Sequence, residues 1–244
     1  MRNNSPVLNV YKKNNSKSKV VTQLLYGDSF KKIEKRGSWI KIENNEDGYK
    51  GYIKHKNFPE NYKNTHKVFV LSSKLYSKPN YKSKIKIKLS FGSKIKVIEK
   101  KGKFLRFDNF WIKKNNVKKI NFKTKDVFKY INIFLNVKYK WGGKHFSGID
   151  CSGLIQLFFS FNNKFCPRDS KDQIKYFKKK IEFKNLKKND LIFWSGHVAL
   201  IISKTTLIHA YGPFKKTVNM PINKTIYRIY KTANLKVTGI RRFF

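Results

Sequence analysis

The first half of the chain is written twice. Residues 19–42 align without a gap on residues 84–107, an offset of 65. Gly27 falls on Gly92, Ile33-Glu34-Lys35 on Ile98-Glu99-Lys100, Gly37 on Gly102 and Trp39 on Phe104. Upstream, Tyr11, Asn15 and Lys17-Ser18-Lys19 fall on Tyr76, Asn80 and Lys82-Ser83-Lys84. Each copy then reaches an aromatic-Ile-Lys stretch, Tyr52-Ile53-Lys54 and Trp111-Ile112-Lys113. A duplication of this length implies two copies of one small folding unit.

Each copy reads as all-β. Short alternating stretches such as Trp39-Ile40-Lys41-Ile42 fit half-buried strands, and the glycines mark the turns between them. A unit of roughly sixty residues suffices for one small barrel. The pattern Tyr26-Gly27-Asp28, Glu34, Gly37, Trp39, Ile42, Gly51-Tyr52-Ile53 resembles bacterial SH3-like domains, and the second copy matches it more loosely. The expected units are residues 1–62 and 66–120, either as ligand-binding modules or as spacers.

Beyond Lys119 the periodicity changes. Val127, Tyr130, Ile131, Phe134 and Leu135 follow i, i+3, i+4, i+7, i+8, which predicts an amphipathic helix, with Thr124 as N-cap and Asp126 in its first turn. Leu154, Ile155, Phe158 and Phe159 form a second helical stripe. Ser170-Lys171-Asp172-Gln173 has the form of a capping box opening a third. From Leu191 onward the texture is β, at residues 191–194, 198–202 and 207–210. Helices followed by strands predict an α+β domain over residues 124–244.

The formal charge is +42, which raises the question of nucleic acid or an anionic surface. Of the 56 basic residues 49 are lysines, spread through every segment, and alanine occurs only at Ala199, Ala210 and Ala233. That profile fits an AT-rich genome and solvated lysine faces better than the clustered charge of a dedicated binder. No specific nucleic-acid partner is expected. No run is long and apolar enough to span a membrane. The first residues, Met1-Arg2-Asn3-Asn4-Ser5-Pro6, lack the apolar core of a secretory signal, so a cytoplasmic location is expected unless further residues precede them.

Two cysteines, Cys151 and Cys166, show neither a disulfide framework nor metal-ligand spacing, so no metal or other cofactor is expected. Cys151 lies in Gly148-Ile149-Asp150-Cys151-Ser152-Gly153, directly ahead of the second stripe. At a helix start, free amides and the positive dipole end favour a thiolate, though a buried packing cysteine is an equal reading on local context. Histidine distinguishes them. His197 follows a glycine into an apolar strand, and His209 ends the next one, so adjacent antiparallel strands bring the two rings together. A thiol nucleophile needs an imidazole base, and that imidazole needs a second polar group to orient it.

Residues 124–244 resemble the NlpC/p60 family of papain-like cysteine peptidases. The matching stretches, in the family's order, are Tyr139-Lys140-Trp141-Gly142-Gly143, Gly148 to Leu154, Pro167-Arg168-Asp169-Ser170, Asp190 to Trp194, Gly196-His197-Val198-Ala199 and Ile208-His209-Ala210. Any one alone is weak, whereas the ordered set is specific. The resemblance implies a papain-like domain behind two SH3-like barrels, as in the family's dipeptide-releasing members. It implies Cys151 as nucleophile, His197 as general base and then acid, His209 as its orienting partner, and Tyr139 lining the site. Asp150, Ser152 and Ser170 match residues that bind a substrate's free N-terminus in some relatives; capping of helices is the plainer role for Asp150 and Ser170. Asn189 stands where relatives carry Gly, and Cys166 reads as packing. The implied substrate is a peptidoglycan-derived peptide cut after D-glutamate; no oligomeric state is implied. A related amidase or acyltransferase, or a non-catalytic wall- or polyanion-binding protein, are the other readings.

Overall fold

In the computed structural model, which describes residues 1–243, the two repeat copies have the same strand connectivity. The first copy consists of β1 (Val7–Tyr11), β2 (Val20–Leu25), β3 (Phe30–Arg36), β4 (Trp39–Asn44) and β5 (Lys50–Lys54). The second begins with β6 (His66–Val68), β7 (Ser72–Tyr76), β8 (Lys84–Ser90) and β9 (Lys94–Ile95). It continues with β10 (Glu99–Lys101), β11 (Phe104–Phe107), β12 (Phe110–Lys113) and β13 (Val117–Lys119). The sheet orders β2-β1-β5-β4-β3 and β8-β7-β12-β11-β10 correspond strand for strand, and β7 starts 65 residues after β1. In both copies a two-residue turn with Gly at positive φ (Gly37, Gly102) joins the equivalent hairpin. The second copy adds a three-stranded sheet, β13-β6-β9.

The units dock in series through one repeated position. Tyr26-Gly27 of the first copy and Phe91-Gly92 of the second are equivalent, and both glycines have φ near +80° (+82°, +83°). A Cβ on Gly27 would lie 2.0 Å from the Lys94 carbonyl oxygen of the second copy; one on Gly92 would lie 2.8 Å from Leu157 Cδ1 of the third unit. The aromatic ahead of each glycine enters the next core. Tyr26 packs edge-on against Phe107, and Phe91 stacks on Phe158 and Phe161 at 4.9 and 4.4 Å. Lys67, fully buried, donates to the Phe161 carbonyl and to Asn163 Oδ1, and burial lowers its ammonium to about 8.

In the third unit, the short hairpin β14 (Lys144–His145) and β15 (Gly148–Ile149) leads into α1 (Cys151–Phe161), followed by α2 (Ser170–Tyr176). Then come β16 (Lys179–Lys180), β17 (Leu191–Trp194), β18 (His197–Ile201), β19 (Thr206–Tyr211), β20 (Lys216–Pro221), α3 (Ile222–Ala233) and β21 (Val237–Arg242). The six strands from β16 on form an antiparallel sheet in the order β16-β21-β17-β18-β19-β20. The core between sheet and helix comprises Leu154, Phe158, Phe193, Val198 and Ile208, each 1% exposed or less. Asn189 has φ +74°, the conformation glycine would otherwise supply. Among the described residues no helix is long and apolar enough to cross a membrane.

Three sequence expectations need correction. The helix expected from Val127 is a chain of turns ending in a 3-10 segment, Ile131–Phe134, with Phe128, Ile131, Phe134 and Val137 buried at a spacing of three. Hydrogen bonds run over three residues, as from Ile131 to Phe128 and Val137 to Phe134, and the β-branched and Asn residues here are weak α-helix formers. Thr124 bonds to Asn162 and to the Asp126 carbonyl instead of capping a helix. α2 does start at Ser170, but Asp169 is its N-cap without a side-chain bond, and Gln173 reaches Ser152 and Pro167 carbonyls rather than closing a capping box. The β texture after Leu191 is interrupted by α3, whose β-branched and aromatic residues carry little helix propensity; Ile222, Thr225 and Ile229 are its buried face.

Candidate active site

α1 begins at Cys151 because Asp150 ends an extended segment and caps the helix, its Oδ1 accepting the Gly153 amide at 2.7 Å. Cys151 is 5% exposed and lines a cavity of about 380 Å³ with Tyr139, Trp141, Ser152, Asp169 and Ser170. The thiol lies against the amides of Ser152 and Val198, which places it at the mouth of β18, one residue from His197. Burial, reinforced by Asp150, pushes the thiol up to about 12, and the two amides and Arg168 pull the other way. Burial therefore works against the thiolate form of Cys151. The thiolate expected from the helix end alone is outweighed by desolvation.

β18 and β19 pair through Leu200↔Ile208 and Ile201↔Leu207, which sets His197 and His209 diagonally on one face. His197 Nε2 lies 2.8 Å from His209 Nδ1. His209 stacks on Tyr211 at 4.6 Å and 11°, and its Nε2 faces Met220 Sδ at 3.3 Å. Burial lowers His197 to about 4, against the pull of Asp150, and lowers His209 well below the ordinary histidine range, aided by His197. Both rings are neutral near pH 7. One arrangement satisfies them: His197 Nε2–H donates to His209 Nδ1, leaving His197 Nδ1 as the basic nitrogen.

Asp150 is fully engaged. Arg168 grips it bidentately, Nη1 to Oδ1 at 3.0 Å and Nη2 to Oδ2 at 2.6 Å, and the Gly142 amide adds a bond to Oδ2 at 2.8 Å. Arg168 also donates to Ser152 Oγ and, across the domain boundary, to Thr22 Oγ1 of β2, both at 3.0 Å. The pair is buried, so a lone Asp150 or Arg168 would be a costly uncompensated charge. Ser170 is buried in the same cavity, and Tyr139 is kept protonated by burial and by the neighbouring Cys151 and Asp150. Of the seven residues singled out in the sequence, Tyr139, Asp150, Cys151, Ser152 and Ser170 line one cleft, and His197 and His209 are bonded to each other on β18 and β19.

Among the lining residues that the sequence did not single out, two are bonded to each other across the cleft. Tyr49, in the loop between β4 and β5, donates its hydroxyl to Asp169 Oδ2 at 3.1 Å and closes the cleft from the first repeat copy. Burial raises the Asp169 carboxyl above the usual carboxylate range, against the pull of Arg168 and Tyr49. Asp169 lay inside a matched stretch, directly ahead of Ser170, and its carboxyl next to a helix start was the signal for it. Tyr49 had no such signal. The loop that carries Tyr49 also brings Asp47 Oδ2 to Gln156 Nε2 of α1 at 2.7 Å, which fixes the loop on the catalytic helix.

Residues 136–235 match the NlpC/P60 family and residues 6–59 the bacterial SH3 domain. Over 86% of this chain and 73% of the relative, the sequence is 26% identical to a Bacillus cereus (strain ATCC 10987 / NRS 248) protein named gamma-D-glutamyl-L-lysine dipeptidyl-peptidase. A 77-residue stretch, 32% of this chain and 28% of the relative, is 38% identical to dipeptidyl-peptidase 6 of Lysinibacillus sphaericus. The fold is similar to the crystal structure of an NlpC/P60 family protein from Bacillus cereus ATCC 10987, with a TM-score of 0.84 at 20% identity, covering 99% of this chain and 98% of that one.

Proposed function

We infer, from the premise that this chain carries an NlpC/P60 cysteine-peptidase domain behind a bacterial SH3 domain, that it cleaves the γ-D-glutamyl–diaminopimelate bond of wall-derived peptides with a free N-terminal L-Ala. His197 Nδ1 takes the Cys151 proton as Sγ adds to the γ-carbonyl of D-glutamate. The C–N bond then breaks, the leaving diamino acid takes that proton, and a thioester remains. Water gives a proton to His197 and adds to the thioester, releasing the dipeptide carboxylate and restoring the thiol. His209 accepts from His197 Nε2 throughout and holds the ring in place. The protonated Tyr139 phenol, beside the thiol, is suited to steady the developing oxyanion.

The observation that carries this reading is the Tyr49–Asp169 closure of the cleft. Asp150 was the expected partner of the substrate ammonium, but its oxygens are already taken by Arg168, Gly142 and Gly153. Among the described residues Asp169 has only a phenol as a direct side-chain partner, and a bound ammonium would offset the burial that raises its carboxyl. An acylated amine would leave that carboxylate unpaired and meet the Tyr49 wall. The free-amine requirement in turn favours peptides already released from glycan, in keeping with recycling in the cytoplasm. The test compares L-Ala-γ-D-Glu-diaminopimelate with its N-acetyl form, identifying products by mass and using Cys151→Ala as the blank. Release of L-Ala-γ-D-Glu from the free peptide, with at least about 100-fold slower cleavage of the acetylated one, is expected. Equal turnover removes the closed-pocket reading, and cleavage by Cys151→Ala removes the mechanism.

A further inference from the structure

The catalytic cleft has a second arm. A cavity of about 410 Å³ shares Val21, Tyr49, Trp141, Asp169 and Lys171 with it and is otherwise lined by Lys12, Lys19 and Lys50. Lys12 and Lys19 are held together by the β1–β2 hairpin, where the Lys12 amide donates to the Lys19 carbonyl at 2.9 Å. Among the described residues, neither these two nor Lys171 has an ion-pair partner within 4.0 Å; Lys50 shares Glu43 at 3.3 Å on the exposed side. The lone acid in the lining of this arm is Asp169. The charge of Asp150, next along the cleft, is already matched by Arg168.

Four lysines therefore share the lining of this arm with the single carboxylate to which the proposed function assigns a substrate ammonium. Their positive charge opposes the incoming amine. They also make a pocket suited to a compact multivalent anion, with the exposed Trp141 indole as one wall.

We propose that the lysine-lined arm binds a phosphate group, free or esterified, and that the bound anion strengthens capture of the substrate's free amine at Asp169. The regulatory half rests on the peptidase reading above; the binding half does not. Without the anion, the lysines raise the KM of free-amine peptides. With it, most of the excess positive charge is offset and KM falls, while the bond-breaking residues are untouched.

Trp141 allows the two halves to be tested separately. It is 62% exposed, whereas Trp39, Trp111 and Trp194 are 8%, 8% and 2% exposed, so an ionic quencher reads Trp141 selectively. Fluorescence quenching by iodide is measured with and without millimolar inorganic phosphate at constant ionic strength, with acrylamide as the neutral control. Glycerol phosphate is run in parallel, so that action by both marks a phosphate-group reader and action by inorganic phosphate alone marks a free-ion site. KM for L-Ala-γ-D-Glu-diaminopimelate is measured in the same buffers. Phosphate should protect Trp141 from iodide and lower KM about three- to tenfold without changing kcat, beyond what screening by added chloride gives. Lys12→Gln/Lys19→Gln, two exposed positions, should lose both responses and show a low KM from the start. Lys224→Gln/Lys231→Gln on α3 should behave as the unaltered protein. Equal loss in that control pair, no protection, or protection with an unchanged or raised KM overturns the proposal. Protection in a protein that cleaves no peptide overturns the peptidase reading instead and supports the anion site.

Discussion

The two repeat copies share a sheet order, a glycine hairpin and a docking aromatic, yet they face different partners. In the first, Tyr26-Gly27 seats the copy on the second unit; in the second, Phe91-Gly92 seats it on the catalytic core. They differ in the connection that follows the fourth strand of the shared sheet. Five residues separate β4 from β5 in the first copy, and two separate β11 from β12 in the second. The register between copies falls from 65 at Trp39/Phe104 to 59 at Tyr52/Trp111, three residues of the change lying in this loop and three in the strands that flank it. The longer loop presents Asp47 and Tyr49 to the catalytic unit. The short turn presents Asp108, at φ +44°, to Arg2 and Tyr26 of the first copy. A duplicated barrel has thus kept one docking device and divided the rest. The second copy completes the core, and the first shapes the cleft.

The largest effect that could break this division is on stability. Phe91 is fully buried between Phe158 and Phe161, with Phe134 edge-on at 5.9 Å. Phe91→Ala should cost about 3–5 kcal/mol in chemical denaturation, as truncation of a buried phenylalanine does. The protein that remains folded in the cold should keep kcat/KM within about twofold, since the ring partners of Phe91, Phe134, Phe158 and Phe161, do not line the cleft. A fall in kcat/KM with unchanged stability would put the second copy in the active site and end the comparison.

Next in size is Asp169→Asn, which leaves the fold of both copies alone. It should lower kcat/KM for the free-amine peptide by about 100-fold, the scale of losing one partner of a desolvated charge pair, and leave the slow N-acetyl reaction unchanged. Equal losses on both substrates would mean that Asp169 supports the cleft without reading the amine.

The parts of this arrangement that were legible in the sequence are those written locally. Gly27 and Gly92 announced turns because only a residue tolerant of positive φ fits there, and the repeat announced the shared sheet. The His197–His209 pair was legible because two adjacent strands bring the rings together by simple geometry, and Cys151 was legible as the start of a helix. Asp150 was legible as a position but not as a role. Its neutralisation depends on Arg168, eighteen residues away, whose guanidinium is held in turn by Thr22. Tyr49 was illegible for the same reason: it meets Asp169 across 120 residues and a domain boundary, and nothing in its own loop encodes that contact. The segment from Val127 misled because apolar residues three apart serve consecutive turns as well as a helix.

The smallest effect, and the sharpest on the comparison, is that of one hydroxyl. Tyr49 Oη donates to Asp169 Oδ2 at 3.1 Å, a bond that favours the charged carboxylate and opposes the burial that raises it. Tyr49→Phe keeps the ring, and hence the wall against an acylated amine, while removing the donor. The cost should be about 1 kcal/mol, a rise of roughly fivefold in KM for the free-amine peptide with kcat unchanged. The pH dependence carries the specific signature. Amine capture needs ionised Asp169, so KM climbs as pH falls through that carboxyl; without the phenol the carboxyl sits higher still, and the climb should begin at higher pH. N-acetyl peptide, which makes no ion pair with Asp169, should show no such displacement. A displaced acid limb with both substrates would assign the titration to the Cys151–His197 pair, and an unmoved limb with the free amine would leave Tyr49 as a wall alone.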